Sequence, residues 1–393
     1  MAPTTPSETD VVVVGAGAAG LAAAATLKRR GYEPLVLEED ERVGETWARR
    51  YDRLCLHTVR RFSGLPYRPL PRALPKYVSK DEYARYLADY AESFGLDVRL
   101  GSRVDRIAPQ DGALVAQSHK VRRWLVGTSG GDFTARAVVV ATGKHNRKRL
   151  PRWPGLGDFA GRVVHSADYS SGRDYAGQRA LVVGIGNSGA EIATDLVEQG
   201  AASVSIAVRT PPPIARRDIF GVPVQILGML LMPFPPRPVD RLGAVVRRLG
   251  TGDLRPYGLA DAAWGPFVAR RPPVIDVGFL ETLKRGQIQV RPGVERLTRS
   301  GAVFSDGVEE PFEVVVAAIG FTTALEDVLN LPDALDGRGM PRARDDGSCA
   351  YRGLYFVGFK ETPRGALFEA NRDSRRLARS VARYLAGAEA KAA

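Results

Sequence analysis

The sequence predicts an α/β fold of two Rossmann-like dinucleotide-binding domains, with the second inserted into the first. Three observations predict it. An apolar run at residues 11–14 leads directly into Gly15-Ala16-Gly17-Ala18-Ala19-Gly20. The same grammar returns where residues 180–183 lead into Gly184-Ile185-Gly186-Asn187-Ser188-Gly189. Two more apolar strands, residues 137–141 and 314–319, end in Thr142-Gly143 and Gly320-Phe321, as crossings between two domains would. Strands without polar alternation suit a parallel sheet covered by helices on both faces.

The elements follow in chain order. After the first turn an Ala-rich stretch reads as a helix ending near Gly31, and residues 35–37 read as the next strand, ending in Glu38. Strand, glycine turn, helix, strand is a βαβ unit. The second unit continues through a helix containing Leu196 and Val197, stops near Gly200, and returns as a strand at 204–208 that ends in Arg209. Residues 353–358 read as a strand meeting Gly358, and residues 367–385 as a closing helix. The expected domains are residues 1–170, an insertion at 171–318, and a return to the first domain at 319–393. Residues 210–273, rich in Pro and Arg, show no assignable pattern.

At 393 residues the chain exceeds one ordinary core. Its 44% hydrophobic and 25% charged content is that of a folded globular protein. Cys55 and Cys349 stand far apart and form neither a disulfide framework nor a redox pair, which points to a reducing, cytoplasmic setting. The net charge of +12 suits attraction of anionic cofactors. Dispersed arginines without a recognition motif argue against nucleic acid. Residues 219–234 are apolar but short, and Pro223 and Pro233 interrupt them. A buried or interfacial segment is expected there in place of a membrane span, with peripheral membrane contact left open. The polar, Pro/Thr-rich start has no signal-peptide pattern. Nothing marks an oligomeric state or a metal site.

The glycines carry defined jobs. Gly15 permits the tight turn, Gly17 lets a pyrophosphate approach the backbone, and Gly20 lets the helix pack close to the strand. The helix N-terminus, with Ala18 and Ala19, offers free N–H groups to phosphates. Glu38, about twenty residues on, can accept ribose hydroxyls. Gly184, Gly186 and Gly189 repeat the three roles, with Asn187 and Ser188 opening the helix. Arg209 stands where the first unit has its acid, and a guanidinium pairs with a 2′-phosphate. The first turn therefore suits a cofactor with free ribose hydroxyls and the second suits NADPH, with Arg216 and Arg217 as further candidates. A common reason for two such sites in one chain is hydride transfer from NADPH to FAD. Disulfide reductase chemistry would need a paired cysteine beside the flavin, which the chain lacks.

Phe159, Gly161, His165 and Tyr169 have the spacing F-x-G-x-x-x-H-x-x-x-Y between the two turns. It resembles the fingerprint of the class B flavin monooxygenases. Tyr169 stands where Baeyer–Villiger monooxygenases usually carry Trp, which favours the flavin-containing monooxygenase branch. Tyr51-Asp52-Arg53-Leu54-Cys55-Leu56-His57-Thr58, Ala141-Thr142-Gly143, the second glycine turn and Gly353-Leu354-Tyr355-Phe356-Val357-Gly358 resemble YUCCA-type members. Ala318-Ile319-Gly320-Phe321 is similar to the family's A-T-G-Y linker, with Ile and Phe as departures. Gly44-Glu45-Thr46-Trp47 is similar to a segment beside the flavin, where Trp47 is either a cofactor neighbour or plain core. The Ala/Arg/Gly-rich composition suggests a bacterial member.

The resemblance implies a cycle. NADPH reduces FAD, O₂ adds at the flavin C4a to give a (hydro)peroxide, and one oxygen atom enters a small organic substrate. It leaves two chemistries: oxidative decarboxylation of a keto acid such as indole-3-pyruvate, or oxygenation of a soft nitrogen or sulfur. An NADPH oxidase or reductase that inserts no oxygen is the third alternative. By the same resemblance His57 is the catalytic candidate, facing the oxygen adduct or a substrate carboxylate, against the alternative of a core histidine. Gly161 and His165 would lie between the domains, His165 supporting a loop near NADP⁺ or anchoring the linker.

Overall fold

The computed structural model describes residues 6–110 and 121–389. The first sheet runs in the order Asp97–Arg99, Leu35–Leu37, Ser7–Val14, Gly131–Val140, Trp124–Thr128, Val104–Pro109, and Leu354–Phe356 also pairs with Gly131–Val140. Its parallel half is the expected βαβ unit, and its antiparallel half is a meander. Helix Ala18–Lys28 is buried without interruption from Gly20 to Leu27. It lies between the sheet and the closing helix Ala366–Glu389, and small side chains let the two helices approach closely. Helix Lys80–Ser93 starts on a capping box in which Ser79 and Glu82 satisfy each other's backbone N–H. Tyr83, Tyr86, Leu87 and Tyr90 then share one helical face and fill the core.

The second sheet is wholly parallel, in the order Ile288–Arg291, Ser203–Ala207, Arg179–Val183, Val314–Ala317, Arg162–His165. Arg162–His165 lies upstream of the boundary expected at residue 170 because it fills the open edge beside Val314–Ala317. A three-stranded antiparallel sheet, Val294–Leu297 with Gly301–Phe304 and Glu309–Pro311, packs its apolar residues on one face. The two crossings are bonded to each other, since Phe321–Thr322 pairs antiparallel with Arg147–Lys148.

Within residues 210–273, Ile214–Arg216 pairs with Val274–Asp276, and two helices, Val224–Leu231 and Pro236–Thr251, form a roof. The apolar segment at 219–234 contains the first roof helix. Its inner residues seat on the first domain: Gln225 accepts from Val59 N at 2.9 Å and donates to Arg364 O at 2.7 Å. A Cβ on Gly228 would stand 2.5 Å from the Pro363 carbonyl oxygen. Its outer residues Leu230 and Phe234 are 64% and 59% exposed, so one short helix serves core, cleft and solvent and shows no single period. No helix among the described residues is long and apolar enough to cross a membrane.

Candidate active site: a cleft between two glycine turns

The two turns face one cleft of about 2550 Å³. A pocket for one drug-sized ligand is roughly 300–1,000 Å³, so this cleft has room for more than one large ligand. The turns match in detail. Gly15 and Gly184 both take φ +104°, in the left-handed region that favours glycine. A Cβ on Gly20 would overlap the carbonyl oxygen of Gly15, and one on Gly189 would overlap that of Gly184. A Cβ on Gly17 or Gly186 would meet nothing within 4 Å, and both residues line the cleft. The fold thus requires the outer glycines of each turn, while the middle ones leave space that the protein does not fill.

Behind the first turn, Glu38 accepts from Ala16 N at 2.5 Å and Asp40 N at 3.1 Å. Burial raises its pKa, against the lowering effect of those two N–H groups. Thr142 lines the cleft at the first crossing, and its Oγ1 is buried without a hydrogen-bond partner. A buried hydroxyl left alone costs about 1–3 kcal/mol, so an acceptor or donor in the cleft would relieve it. Gly358 approaches the same turn, where a Cβ would stand 2.6 Å from Ala19 Cβ. Trp47 lines the cleft and packs edge-on against Tyr83, with ring centroids 4.9 Å apart, so it is at once core and wall.

Behind the second turn, Arg209 is exposed and lines the cleft at the end of Ser203–Ala207. Arg216 and Arg217 do not line it, and Arg217 stacks on Tyr77 at 3.9 Å. Asn187 accepts from Ile275 N at 2.8 Å and so ties strand Val274–Asp276 to the turn.

Of the expected site residues, Gly15, Gly17, Ala18, Ala19, Glu38, Trp47, His57, Thr142, Gly143, Gly184, Gly186, Asn187, Ser188, Arg209, Gly320 and Gly358 line the one cleft. Gly20 and Gly189 lie just behind it as packing glycines.

His57 reaches across to the second domain. Its Nε2 lies 2.5 Å from Glu191 Oε1 on helix Asn187–Glu198, and Glu191 is 2% exposed. Tyr51 joins the same carboxylate and also bonds Ser188, while burial pushes its phenol well above the ordinary range and keeps it protonated. Arg53 pairs with Glu198 at 3.1 Å and donates to Glu191 O at 3.3 Å. The segment around residues 51–57 is therefore a polar latch between the domains. The sequence named Tyr51 only within a run that resembles the family, and it gave no sign of Glu191 beyond an acid on the face of an amphipathic helix that also carries Ile192 and Leu196.

The fingerprint residues Phe159, Gly161, His165 and Tyr169 do not line the cleft. Gly161 is forced, since a Cβ would stand 2.5 Å from Glu313 O. Tyr169 donates to Asp195 Oδ2 at 2.6 Å. His165 accepts from Ala167 N at Nδ1 and donates from Nε2 to Gly320 O, each at 3.1 Å. That arrangement needs the neutral ring, and burial lowers its pKa accordingly. The motif packs the second domain, and His165 anchors the second crossing.

With this geometry in hand, the pyridine nucleotide–disulphide oxidoreductase family matches residues 12–218. Indole-3-pyruvate monooxygenase YUCCA1 of Oryza sativa subsp. japonica is 39% identical over 365 residues, covering 91% of this chain and 87% of that protein. Indole-3-pyruvate monooxygenase YUCCA6 of Arabidopsis thaliana is 35% identical over 396 residues, covering 95% and 90%. The chain belongs to the YUCCA-type flavin monooxygenases. A flavin-containing monooxygenase from Stenotrophomonas maltophilia superposes with a TM-score of 0.73 at 25% identity, covering 96% of this chain and 99% of that one. Cyclohexanone monooxygenase from Rhodococcus sp. Phi1 bound to NADP⁺ shares the fold at a TM-score of 0.73 and 18% identity, covering 96% and 85%. This YUCCA-type chain is accordingly a flavoprotein monooxygenase of two-domain α/β fold.

Proposed function

We propose that the chain is an NADPH-dependent FAD monooxygenase that converts an aromatic keto acid such as indole-3-pyruvate to the acid one carbon shorter. The balance is keto acid + O₂ + NADPH + H⁺ → acid + CO₂ + NADP⁺ + H₂O. One observation carries the cofactor assignment: two superposable glycine turns, each with an unfilled middle position, border a single cleft.

FAD and NADPH are the family's cofactors, and bound FAD supplies the redox chemistry that couples NADPH oxidation to O₂. The residues here fit that pair. The Gly15 turn and the N-terminus of Ala18–Lys28 receive the FAD pyrophosphate, and Glu38 accepts from its ribose. The Thr142 hydroxyl and the left-handed backbone at Gly143, with φ +75°, present polar groups along the same edge. The Gly184 turn receives the NADPH pyrophosphate, Ser188 opens its helix, and Arg209 pairs with the 2′-phosphate. Gly320 and Gly358 keep backbone close to the cleft, and Trp47 supplies a flat apolar wall.

His57 has Nε2 fixed on Glu191, which leaves Nδ1 as the ring atom for a substrate or an oxygen atom in the cleft. The roof helices exclude water and supply the apolar surface that an aromatic side chain needs. The names of the plant relatives support the keto acid over a soft nitrogen or sulfur.

The test is stoichiometry. Purified holoenzyme supplied with NADPH, O₂ and indole-3-pyruvate should release one CO₂ and one indole-3-acetate per NADPH. NADPH use matched by H₂O₂ at every substrate would replace this reading with an oxidase, and turnover of amines or sulfides alone would replace it with nitrogen or sulfur oxygenation.

A further inference from the structure

The roof holds a charge that forms no ion pair. Among the described residues, Arg247 is the charged side chain of the two roof helices that lines the cleft. It makes no ion pair or side-chain hydrogen bond there, whereas two other cations of low exposure do. Lys144 pairs with Glu361, and Lys80 pairs with Asp81 at 2.8 Å. The nearest acid on its own helix is Asp240, whose oxygens are taken by Phe267 N at 3.0 Å and Val268 N at 2.8 Å. Burial lowers the pKa of Arg247, with Asp240 offsetting only part of the effect.

Most of the roof side chains on this cleft are apolar. Leu227, Leu231, Val239, Val246 and Phe267 line the same cleft. Gly243, one turn earlier, also lines it, and a Cβ there would stand 3.3 Å from Arg247 Nη1. The guanidinium therefore folds back along the helix over the space that Gly243 leaves. A guanidinium that forms no ion pair, on a cleft that apolar side chains also line, matches an anion carried by an apolar body. Its planar fork suits a carboxylate bidentately.

We propose that Arg247 is the receptor for the substrate's carboxylate, so that the site selects apolar organic acids over their neutral isosteres. This rests on the keto acid reading above and adds the residue that enforces it. Arg209 already stands at the strand end that faces a 2′-phosphate; of the other cations on the cleft, Lys144 pairs with Glu361, Arg50 and Arg271 lie over the rings of Phe321 and Trp264, and Arg247 is the one carried by the roof helices.

The test is equilibrium binding to the oxidised holoenzyme, measured by calorimetry with indole-3-acetate and its neutral isostere indole-3-acetamide. The acid should bind at least about tenfold more tightly than the amide, the effect of one charge-assisted bond. Arg247→Gln should erase that preference, and Arg247→Lys should restore part of it. Gly243→Ala, which favours the helix but crowds the guanidinium, should weaken the acid and spare the amide. An acid preference that survives in Arg247→Gln would overturn the proposal, as would a wild type that binds both ligands equally. A weakened affinity for NADP⁺ in Arg247→Gln, with the indole ligands unaffected, would hand the residue to the cofactor and overturn it as well. Acid selectivity that depends on Arg247, in an enzyme that releases no CO₂ from indole-3-pyruvate, would sink the decarboxylation reading and leave the carboxylate receptor standing.

Discussion

The two halves of this molecule open with the same turn and then diverge. Two residues beyond Gly20 the first helix has Ala22, and two residues beyond Gly189 the second has Glu191. The first helix is buried through alanines and leucines against the closing helix in an apolar joint. The second buries Glu191, Thr194 and Asp195. Glu191 and Asp195 take bonds from segments outside the helix, Tyr51, His57, Tyr169 and Gly172 N. Apolar contact is non-directional, whereas hydrogen bonds specify partner and angle. The glycines thus place a pyrophosphate, and the residues around each helix decide which cofactor is read and how firmly the halves are held together.

The largest effect should separate the two turns as ligand sites. Gly17→Val should leave a folded protein that retains no flavin, because nothing in the chain meets the new side chain and the pyrophosphate does. Several charge-assisted bonds of about 1.5–3 kcal/mol each would be lost. Gly186→Val should stay yellow and fail to be reduced by NADPH. Full flavin occupancy in Gly17→Val would break the comparison at its root.

The next effect concerns the strand ends. Arg209→Ala should raise the NADPH requirement by the equivalent of about 1.5–3 kcal/mol and leave the NADH requirement alone. Glu38→Gln should weaken FAD and spare both nicotinamides. Equal losses for NADPH and NADH in Arg209→Ala would remove that residue from the phosphate site.

Glu191→Gln should lower stability by about 1–3 kcal/mol in thermal or denaturant unfolding, since His57 and Tyr51 lose a buried carboxyl acceptor. An unchanged midpoint would show that the latch carries no weight.

The smallest effect is a pH slope. The folded protein holds His165 neutral, with its pKa below the ordinary 6.5, so the unfolded chain binds the extra proton first. The stability it contributes is complete above that value and is lost as pH falls below it. His165→Asn keeps an acceptor for Ala167 N and should flatten this part of the stability profile. An identical slope in the variant would place the acid sensitivity elsewhere.

Much of this was legible in the chain. Both βαβ units, both crossings and the closing helix lie where the apolar runs and glycines put them, give or take the strand ends. Most of the expected site residues share one cleft. Arg216 and Arg217 could not be placed, because a local run says nothing of which way a loop faces, and Arg217 lies on Tyr77 instead. His57 was legible as a cleft residue, but its partner Glu191, 134 positions away, was not. The roof was illegible because its first helix divides its residues among three environments.

By itself the sequence determined what is local: the turns, from glycines whose φ or packing permits no other residue, and the strands, from runs too apolar to face water. Only the tertiary structure decided what is relational. It set the two turns against one cleft, gave His57 a buried carboxylate, and left Arg247 on the cleft without an ion pair. Those outcomes depend on distances between segments far apart in the chain, and Coulomb and hydrogen-bond energies depend on such distances and on burial, neither of which sequence spacing encodes.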